Sequence, residues 1–315
     1  VAPRILVTGA GGFVGRHLLA LLVEEQGEIW AWSRRLPAGA ASHNGRVAWR
    51  TVDVLDRDAV HAAIDEARPT EVYHLAGEAD VAGSWRDPAA SLQTNVIGTH
   101  RVLDALRELG LAARVLVPGS ATVYAPSPGP LSEESPLAPS SPYALSKLAQ
   151  ELLARRAAHA DGQAVVIARA FNHIGPGQAP TFAAASFARQ IAAVERGEAP
   201  PVIAVGNLDA RRDLTDVRDT VRAYRLLMAH GAPGVPYNVC SGRAYAVREI
   251  LDGLLRLSSV AVEVRVDPAR LRPDDNPLVL GNPARLQACT GWTPRIAIDE
   301  TLRDVLADAR ARAGA

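Results

Sequence analysis

The chain has 315 residues, 48% hydrophobic and 22% charged, which is ordinary globular composition and enough for one large unit or two unequal lobes with buried cores. Its 34 basic and 34 acidic residues cancel, so no general field draws it to nucleic acid or an anionic membrane, and any bound anion must be held by a local site. Two cysteines make no disulfide framework and the scattered histidines form no ligand cluster, so a reducing compartment and no protein-built metal site are expected. No apolar run approaches membrane-span length, and the opening VAPRILVTGAGG lacks the basic start and cleavage site of a signal peptide; a cytoplasmic protein is expected.

In chain order, the apolar run Arg4–Thr8 predicts a strand, a Gly cluster follows, and Val14–Glu24 has helical periodicity. Glu28–Trp32 and Val47–Val52 are the next strands, then a helix over about 56–67, a strand at Glu71–Leu75 and a long helix over Pro88–Leu109. Val115–Val117, a long helix over Pro142–His159, and Ala164–Arg169 complete the first half. Such alternation implies parallel βαβ units with right-handed crossovers, that is, an α/β, doubly wound parallel sheet. Beyond residue 171 the pattern is less regular. A turn-rich stretch (172–182), a helix (Ala183–Arg196), a strand (Pro200–Val205), a charged segment (207–219) and a Pro- and Asp-rich ordered loop (Pro268–Pro283) predict a smaller α/β lobe over 172–315. A dinucleotide-binding domain of about 1–171 is expected, with a segment near 210–242 returning to it.

Gly9, Gly12 and Gly15 lie between a predicted strand and a predicted helix, the context in which glycines let a backbone approach a pyrophosphate at a helix N-terminus. With Phe13 and Val14 they make TGxxGFVG, which resembles the TGxxGFxG of the extended short-chain dehydrogenase/reductases, a family with a Rossmann-like sheet. The second strand ends in Ser33-Arg34-Arg35 with no carboxylate to accept from a ribose 2′-hydroxyl. Two guanidiniums suit a 2′-phosphate, so NADP(H) is the expected cofactor, a solvated basic turn being the alternative. By the resemblance, Asp53-Val54 contacts the adenine, and Leu75-Ala76-Gly77 supplies small residues past which the cofactor runs.

Tyr143 and Lys147 form Y-x-x-x-K on one face of a predicted helix, where the lysine can lower the phenol pKa. Ser120 follows the fifth strand, at the carboxyl edge where ligands bind in parallel sheets. Gly119–Tyr124 with Tyr143–Lys147 resembles the S-(x)3-VY and YxxxK pair of extended enzymes acting on nucleotide sugars. The resemblance makes Ser120, Tyr143 and Lys147 catalytic, with Tyr143 and Lys147 also touching the cofactor. Sugar-nucleotide dehydratases of this superfamily carry an acid one or two residues after the catalytic hydroxyl; here those positions are Ala121 and Thr122.

Arg169–Gln178 (RAFNHIGPGQ) and Val205–Asp213 (VGNLDARRD) resemble segments of GDP-sugar enzymes, and the similarity runs from about Arg4 to Leu306. It implies cofactor contacts at Ala170 and His173 and substrate contacts at Ser84, Asn172, Arg189, Asn207, Arg212 and Arg272. Guanidiniums at 212 and 272 can grip a diphosphate; a structural ion pair is the alternative for Arg212 beside Asp213, and His173 is equally consistent with a core histidine. The expected reaction is NADPH-dependent reduction of the C4 ketone of GDP-4-dehydro-6-deoxy-D-mannose, giving GDP-D-rhamnose. Its C4 epimer GDP-6-deoxy-D-talose, a 4-epimerase and a non-catalytic cofactor-binding regulator are the alternatives. The family resemblance also implies a homodimer through the helices near 88–109 and 142–159.

Overall fold

The computed structural model describes residues 2–25, 27–37, 46–271 and 276–312. Strand β1 (Arg4–Thr8) leads into helix α1 (Phe13–Leu22), then β2 (Glu28–Ser33), β3 (Val47–Thr51), α2 (Arg57–Ala67) and β4 (Glu71–His74). Two short helices, α3 (Val81–Arg86) and α4 (Pro88–Leu92), precede α5 (Gly98–Glu108); β5 (Arg114–Ser120), α6 (Pro142–Ala160) and β6 (Ala164–Ala170) follow. The second half contributes β7 (Asn172–Ile174), α7 (Ala183–Glu195), β8 (Val202–Val205), β9 (Arg211–Asp216), α8 (Val217–His230) and β10 (Pro236–Val239). It ends with β11 (Ala244–Ala246), α9 (Val247–Arg256), β12 (Glu263–Val266), β13 (Leu278–Val279), α10 (Ala284–Thr290) and α11 (Ile298–Arg312).

The central sheet has seven parallel strands in the order β10-β6-β5-β4-β1-β2-β3, the doubly wound, Rossmann-like arrangement with its order reversing between β1 and β4. Both faces are covered, which is why the strands read as apolar runs rather than alternating ones. On one face Leu18, Leu19 and Leu22 of α1 meet Tyr224, Leu227 and Met228 of α8; on the other, Val60 and Ile64 of α2, Leu103 and Leu106 of α5 and Ala154 of α6 form a second core. A third core lies outside this sheet, where α7, α9 and α11 pack Phe187, Ile191, Leu251, Leu254, Leu302 and Leu306 around β8. There β9 pairs with β7, β11 and β13, and β8 with β12.

Two elements differ from the sequence reading in ways that matter to the site. The helix expected over 88–109 is broken by a π-turn at Gln93–Ile97. The turn carries Asn95 inward, where its Oδ1 accepts from Glu78 N at 2.9 Å and its Nδ2 donates to Ser146 Oγ at 2.9 Å; such bulges recur at functional sites. Strand β5 runs past Val117 to Ser120 because it pairs with β6 along its whole length, from Arg114↔Ala164 to Ser120↔Ala170. Ser120 is therefore the last strand residue, not part of the following loop.

A buried ion pair locks β6 to α6. Arg169, 1% exposed, donates from Nε and Nη2 to both oxygens of Glu151 at 2.8 and 2.6 Å. Its Nη1 reaches Tyr124 Oη (2.7 Å) and Glu133 O (3.0 Å), and Tyr124 in turn donates to Asn238 Oδ1 at 2.6 Å. Removing one charge of such a pair strands the other. Glu151→Gln is expected to cost about 3 kcal/mol of folding free energy or more, measured by urea unfolding; a loss under about 1 kcal/mol would show that the pair is not a structural anchor.

Candidate dinucleotide and catalytic site

The turn between β1 and α1 is shaped by contacts that exclude side chains. Gly9 has φ +65°, and a Cβ there would lie 2.7 Å from the Leu75 and Ala76 backbone; at Gly15 it would lie 2.5 Å from Gly9 O. Helix α1 begins at Phe13 behind Gly12, with no side chain capping it, so its first N–H groups are left for an anion. Val14 packs on the α1–α8 core, while Phe13 stacks on His173 (centroids 6.0 Å apart) and meets His17 edge-on. Arg34 and Arg35 follow β2, exposed and with no ion-pair partner among the described residues; Ser33 lies against Gly11. Asp53 Oδ1 caps Leu55 N, and Val54 is buried against Gly98. Leu75 and Ala76 are half-buried, and Gly77 is exposed close to Asn95. A cradle that any Cβ would fill, an uncapped helix end and two unpaired guanidiniums fit a phosphorylated dinucleotide.

At the carboxyl edge of the sheet, β5 delivers Ser120 and α6 delivers Tyr143 and Lys147. Ser141 caps α6, accepting from Ala144 N at 3.1 Å, and Pro142 occupies its first turn. Ser120 Oγ accepts from Thr122 N at 3.2 Å and shares a hydrogen bond with Thr122 Oγ1 at 2.9 Å. Ala170, beside Ser120 in the register, is half-buried. Burial raises the Tyr143 phenol above its ordinary pKa, and the Ser120 hydroxyl opposes that shift. Burial also pushes Lys147 down to about 7. The expected lowering of the phenol by the lysine is thus not what the unliganded geometry shows. Lys147 Nζ points instead to Pro118 O (2.6 Å) and to Gln150 Oε1. His173 Nδ1 donates to Phe171 O at 3.0 Å, and burial lowers the pKa of the ring, combining the core-histidine geometry with a place beside Phe13 of the glycine turn.

The family model for GDP-mannose 4,6 dehydratase matches residues 6–305. The chain belongs to the GDP-mannose 4,6 dehydratase family. It is 40% identical to a GDP-6-deoxy-D-mannose reductase of Pseudomonas aeruginosa, over 99% of both chains. Among solved structures it is similar to RMD from Pseudomonas aeruginosa complexed with NADPH (38% identity, TM-score 0.87, 99% of this chain and 100% of that one). It is also similar to the Thermus thermophilus UDP-glucose 4-epimerase in complex with NAD (29% identity, TM-score 0.86, 97% and 98%).

Within this GDP-mannose dehydratase family chain the expected substrate residues fare unequally. Asn172 is exposed on β7, Asn207 is exposed in the turn after β8, and Arg189 is exposed on α7 with no ion-pair partner among the described residues. Arg212 donates from Nη1 to Arg211 O and Asn276 O (2.9 and 2.7 Å). Arg272 lies outside the described residues. Ser84 is 2% exposed, and its hydroxyl donates to Val81 O (2.7 Å) and accepts from Tyr143 N (3.2 Å). It ties α3 to the start of α6.

Sequence reading missed the buried polar residues that hydrogen-bond in a run to Lys147. Gln150 and Thr99 are uncharged helix residues in no motif, and His74 reads as the end of an apolar strand; only their burial together marks them. Asp213 was weighed as a partner for Arg212. The structure shows it fully buried, accepting from Ser241 N and Oγ, Gly242 N and Gly281 N at 2.7–3.1 Å. For the glycine turn, Gly9→Ala forces a side chain into the left-handed region against fixed backbone. About tenfold weaker dinucleotide binding, or more, is expected by fluorescence titration; unchanged affinity would remove this turn from the site.

Proposed function

We propose that the protein reduces the C4 ketone of GDP-4-dehydro-6-deoxy-D-mannose with NADPH, forming GDP-D-rhamnose. The observation that carries this reading is an intact Ser120, Tyr143 and Lys147 with Ala121 and Thr122 where dehydratases of the superfamily carry an acid. Eliminating water needs that carboxylate; reducing a ketone does not. Near full-length similarity to a GDP-6-deoxy-D-mannose reductase and to a structure holding NADPH supports the same substrate and cofactor, as does the unpaired Arg34–Arg35 for a 2′-phosphate.

Bound NADPH supplies the hydride, held by the Gly9–Gly15 turn, Arg34, Arg35, and the strand ends at Asp53-Val54 and Leu75–Gly77. Ser120 and Tyr143 hydrogen-bond the ketone oxygen, donors aimed at the charge that develops there. Tyr143 gives its proton to that oxygen as it becomes an alkoxide. Lys147 then stabilises the phenolate, a task for which a buried ammonium is better suited than a hydrated one. Asn172, Asn207, Arg189, Arg212 and Arg272 bind the nucleotide-sugar from the smaller lobe.

The dimer implied by the family resemblance is part of this proposal. Leu145 and Leu152, seven residues apart on α6, are 51% and 55% exposed, and Leu92 and Ile97 beside α5 are also exposed. An apolar stripe on adjacent helices suits a helix bundle between two copies. Leu152→Glu is expected to convert a dimer to a monomer in sedimentation; a wild-type protein that sediments as a monomer would refute the interface.

The activity is tested by NADPH consumption on freshly made GDP-4-keto-6-deoxymannose, with NADH alongside and NMR of the product. One NADPH oxidised per ketone, with the rhamno product, is expected, and Tyr143→Phe should cut turnover at least ~100-fold. A talo product changes only the assigned ketone face. Equal rates with NADH would remove the Arg34–Arg35 assignment. A changed sugar without cofactor consumption would identify an epimerase, and tight NADPH binding with no turnover a non-catalytic protein.

A further inference from the structure

A run of buried side chains joins the glycine turn to Lys147 beneath the site. Thr8, His74, Thr99 and Gln150 are each at most 1% exposed, and Lys147 is 7% exposed. They touch in sequence: Thr8 Oγ1 to His74 Nδ1 at 2.9 Å, His74 Nε2 to Thr99 Oγ1 at 3.0 Å, Gln150 Nε2 to Thr99 Oγ1 at 2.7 Å, and Gln150 Oε1 to Lys147 Nζ.

The proton positions follow from donor and acceptor counting. Thr99 donates its only hydroxyl proton to Asn95 O at 2.6 Å. Its oxygen must then accept from both Gln150 and His74, which puts the His74 proton on Nε2. His74 Nδ1 accepts from the Thr8 hydroxyl, and Thr8 Oγ1 accepts from Ala76 N at 3.1 Å. Every member is satisfied by a neutral imidazole, and burial pushes His74 down to about 3. Gln150 consequently has one orientation. Turning its amide over would set an NH2 against an ammonium and a carbonyl against an oxygen that has no proton to give.

We infer that Gln150 is a positioning residue for the proposed reaction, its amide locked by Thr99 and His74 so that its carbonyl holds the Lys147 ammonium in place and in its charged form. The inference rests on the role of Lys147 given above. Among the described residues the lysine has no carboxylate partner. The titratable groups on the elements packed around it are Tyr143 and Glu151 of α6, His74 of β4, Arg169 of β6, and Tyr224 of α8, whose phenol is raised by burial and by Tyr143. Helix α5 offers uncharged Thr99, with His100 and Arg101 next to it in sequence. Glu151 is committed to Arg169 and His74 is neutral, so two carbonyl oxygens, Pro118 O and Gln150 Oε1, are what the protein sets against the positive charge. They leave the third Nζ proton for the phenolate or a ribose hydroxyl.

The sign of the effect is specific. Removing the carbonyl makes the ammonium harder to keep, so Gln150→Leu is expected to move the alkaline fall of the single-turnover rate down by about one pH unit or more, the scale of a hydrogen bond to a charged group. Gln150→Glu puts a carboxylate against Nζ and should move that fall to higher pH. A packing role would lower stability in both variants without opposite displacements of the pH profile. Thermal melts and NADPH titrations run alongside, and should Gln150→Leu fail to fold, Gln150→Glu decides alone. Lys147→Met is the control. If it keeps wild-type turnover, the reading of Lys147 fails. If it loses turnover while the Gln150 variants keep the wild-type limb or shift it in the same direction, the positioning role is overturned.

Discussion

Lys147 sets a positive charge in an interior that offers it, among the described residues, no carboxylate. Desolvation of an ammonium is costly, and it shows as the depressed pKa of this residue. Much of the surrounding architecture can be understood as making the cost tolerable. The carbonyl of Pro118 lies beyond the last β4–β5 pair, Tyr73↔Leu116, and accepts from Lys147 Nζ, and Gln150 is one turn further along α6. The nearest buried acid, Glu151, is held bidentate by Arg169 and does not neutralise the lysine. Two neutral carbonyl oxygens, Pro118 O and Gln150 Oε1, face the lysine instead.

The parallel sheet makes this placement possible by collecting strand ends. Thr8, His74, Ser120 and Ala170 terminate β1, β4, β5 and β6, four neighbours in the sheet, so residues spread over more than half of the chain share one edge. The π-turn before α5 adds Asn95 to the same place, bonded to Ser146 of α6. In the second half, buried Asp213 plays a comparable organising part. Its carboxylate gathers the backbone of residues 241, 242 and 281, joining β9 to the segments before β11 and after β13. Burial raises its pKa, and those four hydrogen bonds oppose the rise.

Membership of the GDP-mannose 4,6 dehydratase family does not carry the dehydratase reaction with it, because function resides in the site rather than the fold. The turn after β5 shows how small the change is. Ala121 is a buried apolar residue, and Thr122 offers a hydroxyl that shares a hydrogen bond with Ser120. Neither can protonate a leaving hydroxyl or take a proton next to a ketone, while the donors that a reduction needs are untouched.

The sequence by itself determined the order of the strands and most of the helices in the first half, though not α3 or the break before α5, and it marked the glycine turn and the Ser120, Tyr143 and Lys147 set. Each of these is a local signal: an apolar run, a backbone that excludes Cβ, or residues four apart on a helix. It was less informative beyond residue 171, where strands of two to six residues make their pairs across long gaps in the chain and leave little periodicity to read. Only the tertiary structure decided which way Lys147 points, that Ser84 accepts from the first turn of α6, and that Thr8, His74, Thr99 and Gln150 form one satisfied chain. Those outcomes depend on which polar groups are buried together, and burial couples residues from four separate elements. No window of sequence contains that coupling, because the cost of an unpaired buried donor is set by its neighbours in space.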